Sequence, residues 1–115
     1  MESKSILGRR GEEFVAQHLQ RENFKILHKN LRTPFGEVDL VASKDDVFYL
    51  FEVKTRRGSL VRGTLGWGQR VRLSRAALNL WQQYRKEYRT FRCVLLVVTS
   101  RGIKWTSLPL LYDRA

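Results

Sequence analysis

The sequence predicts an α/β fold: two long helices lying on a small mixed sheet that contains antiparallel hairpins. Three observations carry this expectation. Apolar residues recur at three- and four-residue spacing over 5–22 and 69–88, each long enough for a helix laid on a sheet. Around and between them, alternating or unbroken apolar runs give the order helix, three strands, helix, one or two strands. The chain has 115 residues, 43% of them hydrophobic, which suits one core and a single domain over 1–115.

Taken in order, the first helix should turn Leu7, Gly11, Phe14, Val15 and Leu19 to one side. Glu12 falls at the edge of that stripe, beside Ala16 and Leu19, whereas Glu13 points away. Two readings of Glu12 stand at this point: an ordinary early-helix glutamate favoured by the helix dipole, or a carboxylate placed to reach over the sheet. A first strand follows over Asn23–Asn30, with Phe24, Ile26 and His28 on one face. His28 has no second histidine close by in sequence, so it reads as a residue of the sheet face and not as a metal ligand.

Thr33-Pro34-Phe35-Gly36 supplies turn chemistry before a second strand, Glu37–Ala42. A short loop at Ser43–Asp46 then leads into a third strand, Val47–Thr55. Alternation puts Glu37, Asp39 and Val41 on one face, and Phe48, Leu50, Glu52 and Lys54 on one face of the next strand. With a loop of even length, the expected register sets Asp39 opposite Leu50 and Glu37 opposite Glu52. Asp39 and Glu52 would then be diagonal neighbours, roughly 7–8 Å apart at Cα. A loop of odd length would separate them.

Arg56 to Gly68 reads as a glycine-rich, basic loop carrying Arg56, Arg57, Arg62 and Trp67, suited to phosphate contact or simply to connection. In the second helix Leu73, Ala76, Ala77, Leu80, Trp81 and Tyr84 form the buried stripe, and Gln69 stands one turn ahead of it. The run Arg92–Thr99 is continuously apolar, as expected of a strand covered on both faces, and Ile103–Thr106 makes a last short strand.

The charge narrows the function. Twenty-two Lys+Arg against 11 Asp+Glu give a formal net charge of +11 and a sequence pI near 10.5. A surface of that sign attracts polyanions, and nucleic acid most simply. The basic residues are spread through the elements, which favours binding by a folded surface. Cys93 is the single cysteine, so an internal disulfide and a cysteine zinc site are excluded. With no long apolar run and a polar N-terminus, the expectation is a cytoplasmic protein with no membrane association.

Against that background, Glu37, Asp39, Glu52 and Lys54 are out of place in apolar strands, because burying a charge is costly unless it is paired or holds a metal. Carboxylates with a lysine in a cationic protein suit phosphodiester hydrolysis. Hard oxygen ligands select Mg²⁺ or Mn²⁺, which would orient and acidify a water for in-line attack. A lysine two residues beyond a ligand can meet the attacking water or the developing phosphorane charge.

The residues also carry a family resemblance. Asp39 followed by Glu52-Val53-Lys54 resembles the signature of the PD-(D/E)XK nuclease superfamily. Gly8-Arg9-Arg10-Gly11-Glu12, Gly36-Glu37-Val38-Asp39-Leu40 and Phe51-Glu52-Val53-Lys54-Thr55-Arg56 resemble the bacterial YraN-like family of inferred endonucleases, which is similar to archaeal Holliday-junction resolvases. The resemblance runs from Gly8 to about Val98. It implies a restriction-endonuclease-like α-β-β-β-α-β core and metal ligation by Asp39, Glu52 and Glu12. It further implies catalytic roles for Lys54 and Gln69, and DNA, including branched DNA, as substrate. Gly68 stands where the family carries a basic residue, and the preceding loop lacks the usual proline. Arg9, Arg10, Arg56, Arg57, Arg62, Arg70 and Arg72 are the candidate DNA contacts. A homodimer would be needed to cut a four-way junction symmetrically. The alternative reading is a non-catalytic nucleic-acid-binding module that keeps the fold.

Overall fold

The computed structural model describes residues 6–56 and 65–110; of residues 6–9 it describes the backbone alone. Two helices and five strands follow one another as α1 (Ile6–Arg21), β1 (Lys25–Thr33), β2 (Gly36–Lys44), β3 (Val47–Thr55), α2 (Trp67–Tyr84), β4 (Thr90–Thr99) and β5 (Gly102–Leu108). The strands form one sheet in the order β1-β2-β3-β4-β5. β1 to β3 are an antiparallel meander, β3 and β4 are parallel, and β5 returns antiparallel to β4. The parallel pair needs a long crossover, and α2 lies within it.

Alternation along the strands separates two cores. Leu40, Ala42, Phe51, Val53, Val94 and Leu96 meet Val15, Ala16 and Leu19 of α1. Val41, Phe48, Leu50 and Cys93 meet Leu73, Ala76, Ala77 and Leu80 of α2. β4 is buried without a break from Cys93 to Val97, as its apolar run predicts for a strand covered on both faces. Burial pushes the Cys93 thiol up to about 12, so it stays protonated and serves as a small core residue.

Local chemistry corrects several sequence expectations. Asp45 and Asp46 both take positive φ, 49° and 69°, so the β2–β3 connection is a two-residue turn. Ser43 and Lys44 therefore join the ladder, pairing with Phe48 and Val47, and Val41 rather than Asp39 faces Leu50. A register shift between Ile26 and His28 marks a bulge in β1. It turns His28 away from the Phe24–Ile26 side, and Nε2 lies 3.0 Å from the Tyr84 hydroxyl on the α2 face. Phe14 leaves the predicted stripe and is 46% exposed, because α1 overhangs a groove beside β5 there. Trp81 and Tyr84 are ring-stacked on Phe91 and Phe48, at centroid distances of 5.0 and 4.7 Å, as expected of core aromatics.

The β1–β2 and β4–β5 turns share one construction. In Thr33-Pro34-Phe35-Gly36 the Phe35 N–H donates to Thr33 Oγ1 at 3.1 Å, and that hydroxyl donates to the Gly36 carbonyl at 2.7 Å. In Thr99-Ser100-Arg101-Gly102 the Arg101 N–H donates to Thr99 Oγ1 at 3.1 Å, and the hydroxyl to the Gly102 carbonyl at 3.5 Å. Gly36 and Gly102 have φ of +120° and +119°, a region that disfavours any side chain.

α1 is set on the sheet by one close approach. A methyl added at Gly11 would collide with Thr55 Oγ1, which is buried and makes no hydrogen bond among the described residues. Gly11→Ala should therefore lose about 1–3 kcal/mol through overpacking, although alanine is the better helix former by about 1 kcal/mol. In a Thr55→Ala background the same change should be neutral or stabilising. Urea unfolding of the two single variants and the double variant checks this; simple additivity would contradict the contact.

Candidate active site

The β2–β3 ladder ends at Leu40↔Phe51. Continued by one step, the same register would set Asp39 level with Glu52, and beyond the ladder a side-chain bond joins the two strands. The Val53 N–H donates to Asp39 Oδ2 at 2.8 Å. Asp39 is 3% exposed, so this N–H donor holds a buried carboxylate at the mouth of the strand gap. The apolar residues on either side, Val38 and Leu40, are fully buried and lock that stretch of β2.

Glu52 follows Phe51 on β3 and, with Leu50, looks toward α2. It lines a cavity of about 130 Å³ together with Phe35, Glu37, Gln69, Arg72, Leu73 and Ala76. Lys54 lies two residues on, and its Nζ is 4.0 Å from Glu52 Oε2. Both side chains are partly sheltered, Glu52 at 13% and Lys54 at 23% exposure, which weakens solvent screening between them. The cavity also faces the start of α2. Its first turn carries no acidic residue and its cap, Gly66, offers no side-chain bond, so among the described residues no side chain caps the positive end of the helix dipole beside Gln69 and Arg72. Carboxylates on one wall and cationic groups on the other suit a cation and a phosphate together.

Each residue singled out from the sequence can now be placed. Glu37, Glu52, Gln69 and Arg72 share the cavity, Lys54 stands beside Glu52, and Asp39 is fixed to the backbone next to Glu52. Glu12 is buried, 6% exposed, but lines a different cavity on the α1 face with Glu13, Lys29, Asn30 and Leu40. Glu13 is the solvated neighbour and pairs with Lys29 at 3.1 Å. Among the described residues no three metal-ligating side chains gather in one group. Arg10, Arg56 and Arg72 are exposed and Arg70 is half-buried, and Arg56 donates to the Thr55 carbonyl at 2.9 Å. Arg9 lies in α1 with its side chain outside the described residues, where Arg57 and Arg62 also fall. Trp67 begins α2 and is 67% exposed, so it does not tuck against the core. Phe35 was not singled out by the motifs; its only signal is an aromatic residue in a turn that leads directly into Gly36-Glu37-Val38-Asp39.

A mixed five-stranded sheet with a helix on each face is an α/β core consistent with the restriction-endonuclease-like fold. More narrowly, the chain belongs to Uncharacterised protein family UPF0102, whose model matches residues 11–98. A UPF0102 protein of Desulfitobacterium hafniense (strain Y51) is 33% identical over 106 residues, covering 84% of each chain. That of Syntrophomonas wolfei subsp. wolfei is 51% identical over 53 residues, 46% of each chain, so this match spans about half the relative's length. The solved structure titled "Crystal structure of SSO0001" superposes with a TM-score of 0.52 at 16% identity, over 94% of this chain and 52% of that one, a likeness of fold. No helix among the described residues is long and apolar enough to cross a membrane.

Proposed function

We propose that this chain is a divalent-metal-dependent endonuclease that hydrolyses DNA phosphodiester bonds, with branched DNA among its substrates. The observation that carries this reading is the pairing at the strand gap: Asp39 held on the Val53 amide, with Glu52 on the adjacent strand and Lys54 Nζ 4.0 Å from it. In this reading Asp39 and Glu52 hold Mg²⁺ or Mn²⁺. The donor set fits such an ion, because Mg²⁺ is commonly bound by one or two carboxylates, water and substrate phosphate without a full protein cage. When bound, the ion supplies charge neutralisation at the phosphate and a more acidic water.

The chain's own groups do the rest. Lys54 holds its ammonium where the attacking water or the developing phosphorane charge lies. Gln69, across the cavity from Glu52, orients that water through its amide. Arg72 and the open end of α2 bind the flanking phosphate. Arg10, Arg56 and Arg70 extend the contact along the backbone, and the net +11 draws DNA in. Glu12 enters this reading through the resemblance alone, as a third ligand supplied by α1. Symmetric cutting of a junction would require a two-fold dimer.

A second reading, a nucleic-acid-binding module without catalysis, draws on the lack of a three-ligand group among the described residues. A cleavage screen over linear, nicked, flapped and four-way DNA, with Mg²⁺ and with Mn²⁺, separates the two. The expected result is metal-dependent cutting of at least one substrate that Glu52→Ala abolishes. Binding without cutting of any of them under either metal selects the second reading.

A further inference from the structure

We propose that Phe35 is a stacking lip that makes this site select DNA with unpaired bases beside the scissile phosphate. The proposal rests on the nuclease reading for where that phosphate lies. Phe35 sits at the tip of the β1–β2 turn and is 38% exposed. Its ring lines the carboxylate cavity with Glu37 and Glu52, and also an open groove of about 320 Å³ with Arg75, Leu78, Asn79 and Gln82. It is thus the wall shared by the two.

Single exposed aromatics are common and need no special account. Two features set this one apart. The turn does not require it: the sister turn, closed by the same threonine hydroxyl and glycine, carries Ser100 and Arg101 where this one carries Pro34 and Phe35. The backbone that carries the ring is also held in advance. Pro34 fixes its own φ, the Phe35 N–H is tied to Thr33 Oγ1, and that hydroxyl is tied in turn to Gly36. A ring carried on a turn whose backbone is already ordered costs less entropy to fix when a partner covers it.

The occupant follows from the neighbours. Leu78 gives the groove an apolar patch, Gln82 and the NH₂ of Asn79, whose Oδ1 accepts from Gln83 at 3.3 Å, can hydrogen-bond a base edge, and Arg75 adds positive charge beside them. A flat ring beside amides and arginine matches a nucleobase with its backbone. Within a duplex each base is paired and held in the stack, so an unpaired nucleotide, free to leave it, is the one that offers its face to Phe35. The substrate class is accordingly a flap, a single-stranded tail or a branch point with an open base.

The test uses the full chain with EDTA present, so that binding is read without cleavage. Blunt duplex is compared with the same duplex bearing an unpaired tail, which carries 2-aminopurine next to the junction. Phe35→Ala should weaken binding of the tailed DNA by about 5- to 150-fold, the usual effect of removing one base-stacking ring. Blunt-duplex affinity should change less than about twofold on the same scale. Phe35→Trp should restore the tailed binding, and 2-aminopurine should be quenched by the wild type and Phe35→Trp but not by Phe35→Ala. An unchanged melting temperature for Phe35→Ala would confirm that the turn keeps its fold. Equal weakening of both DNAs, no weakening of either, or quenching that persists in Phe35→Ala would overturn the proposal. Because no turnover is measured, an inactive protein can still pass this test, and failure here leaves the cleavage screen standing.

Discussion

Asp39→Asn is expected to remove cleavage, by about 10²- to 10³-fold or more, while leaving the fold intact and DNA affinity equal or higher. The substitution separates two duties of one carboxylate. Structurally, Asp39 Oδ2 accepts the Val53 N–H at 2.8 Å, and an asparagine carbonyl of the same size can take over that bond. The stability change should then stay near the value of one exchanged hydrogen bond, about 1 kcal/mol. Chemically, the neutral amide cannot supply the anionic oxygen that a divalent ion needs, and it removes a negative charge that repels DNA. Asp39→Ala should show both losses, adding about 1–3 kcal/mol of instability because the Val53 amide is left buried without its acceptor. Single-turnover cleavage, urea unfolding and gel-shift binding on the two variants give the three readouts. If Asp39→Asn cuts at more than a tenth of the wild-type rate, Asp39 is only a strand clasp and the metal assignment fails.

The architecture was legible in the sequence because each element obeys a local rule. The α2 stripe repeats at helical spacing, β4 is an unbroken apolar run, and the acidic strands announce themselves by charges that an apolar strand should not carry. The register was not legible. Whether Ser43 and Lys44 belong to the loop or to the strands depends on Asp45 and Asp46 both accepting positive φ, and aspartate permits that without requiring it. The two-residue turn slides the ladder by an even number of positions. Side-chain parity therefore survived, while the partner of every residue changed: Asp39 moved from Leu50 to the level of Glu52. The β1 bulge is a different case, since a single extra residue reverses faces and has no composition that marks it; His28 changed sides for that reason. Glu12 shows the limit of the helical wheel. The wheel placed it correctly at the buried edge of α1, but which cavity that edge borders depends on how the helix is seated, through Gly11 against Thr55.

Lys54 distinguishes a catalytic group from a structural ion pair, since both roles fit an ammonium 4.0 Å from Glu52 Oε2. As a catalyst, its loss in Lys54→Met should lower the cleavage rate by about 10²- to 10³-fold. DNA affinity should hardly move, because Lys54 is one of 22 cationic side chains. The metal requirement should move in the opposite direction to the rate. Removing a cation beside a ligating carboxylate takes away a repulsion on the bound ion, and a relief on the order of 1 kcal/mol would let half-maximal cutting occur at about fivefold less Mg²⁺. Lys54→Arg keeps the charge but replaces a compact, three-donor ammonium by a broad planar fork, and should recover little of the rate. A purely structural partner predicts the reverse pattern. Lys54→Met would then lose stability, keep its rate per folded molecule within a few-fold, and be rescued by Lys54→Arg. A metal titration of single-turnover rates, with unfolding curves for the same variants, decides between them, because only the catalytic role couples a slower reaction to tighter metal use.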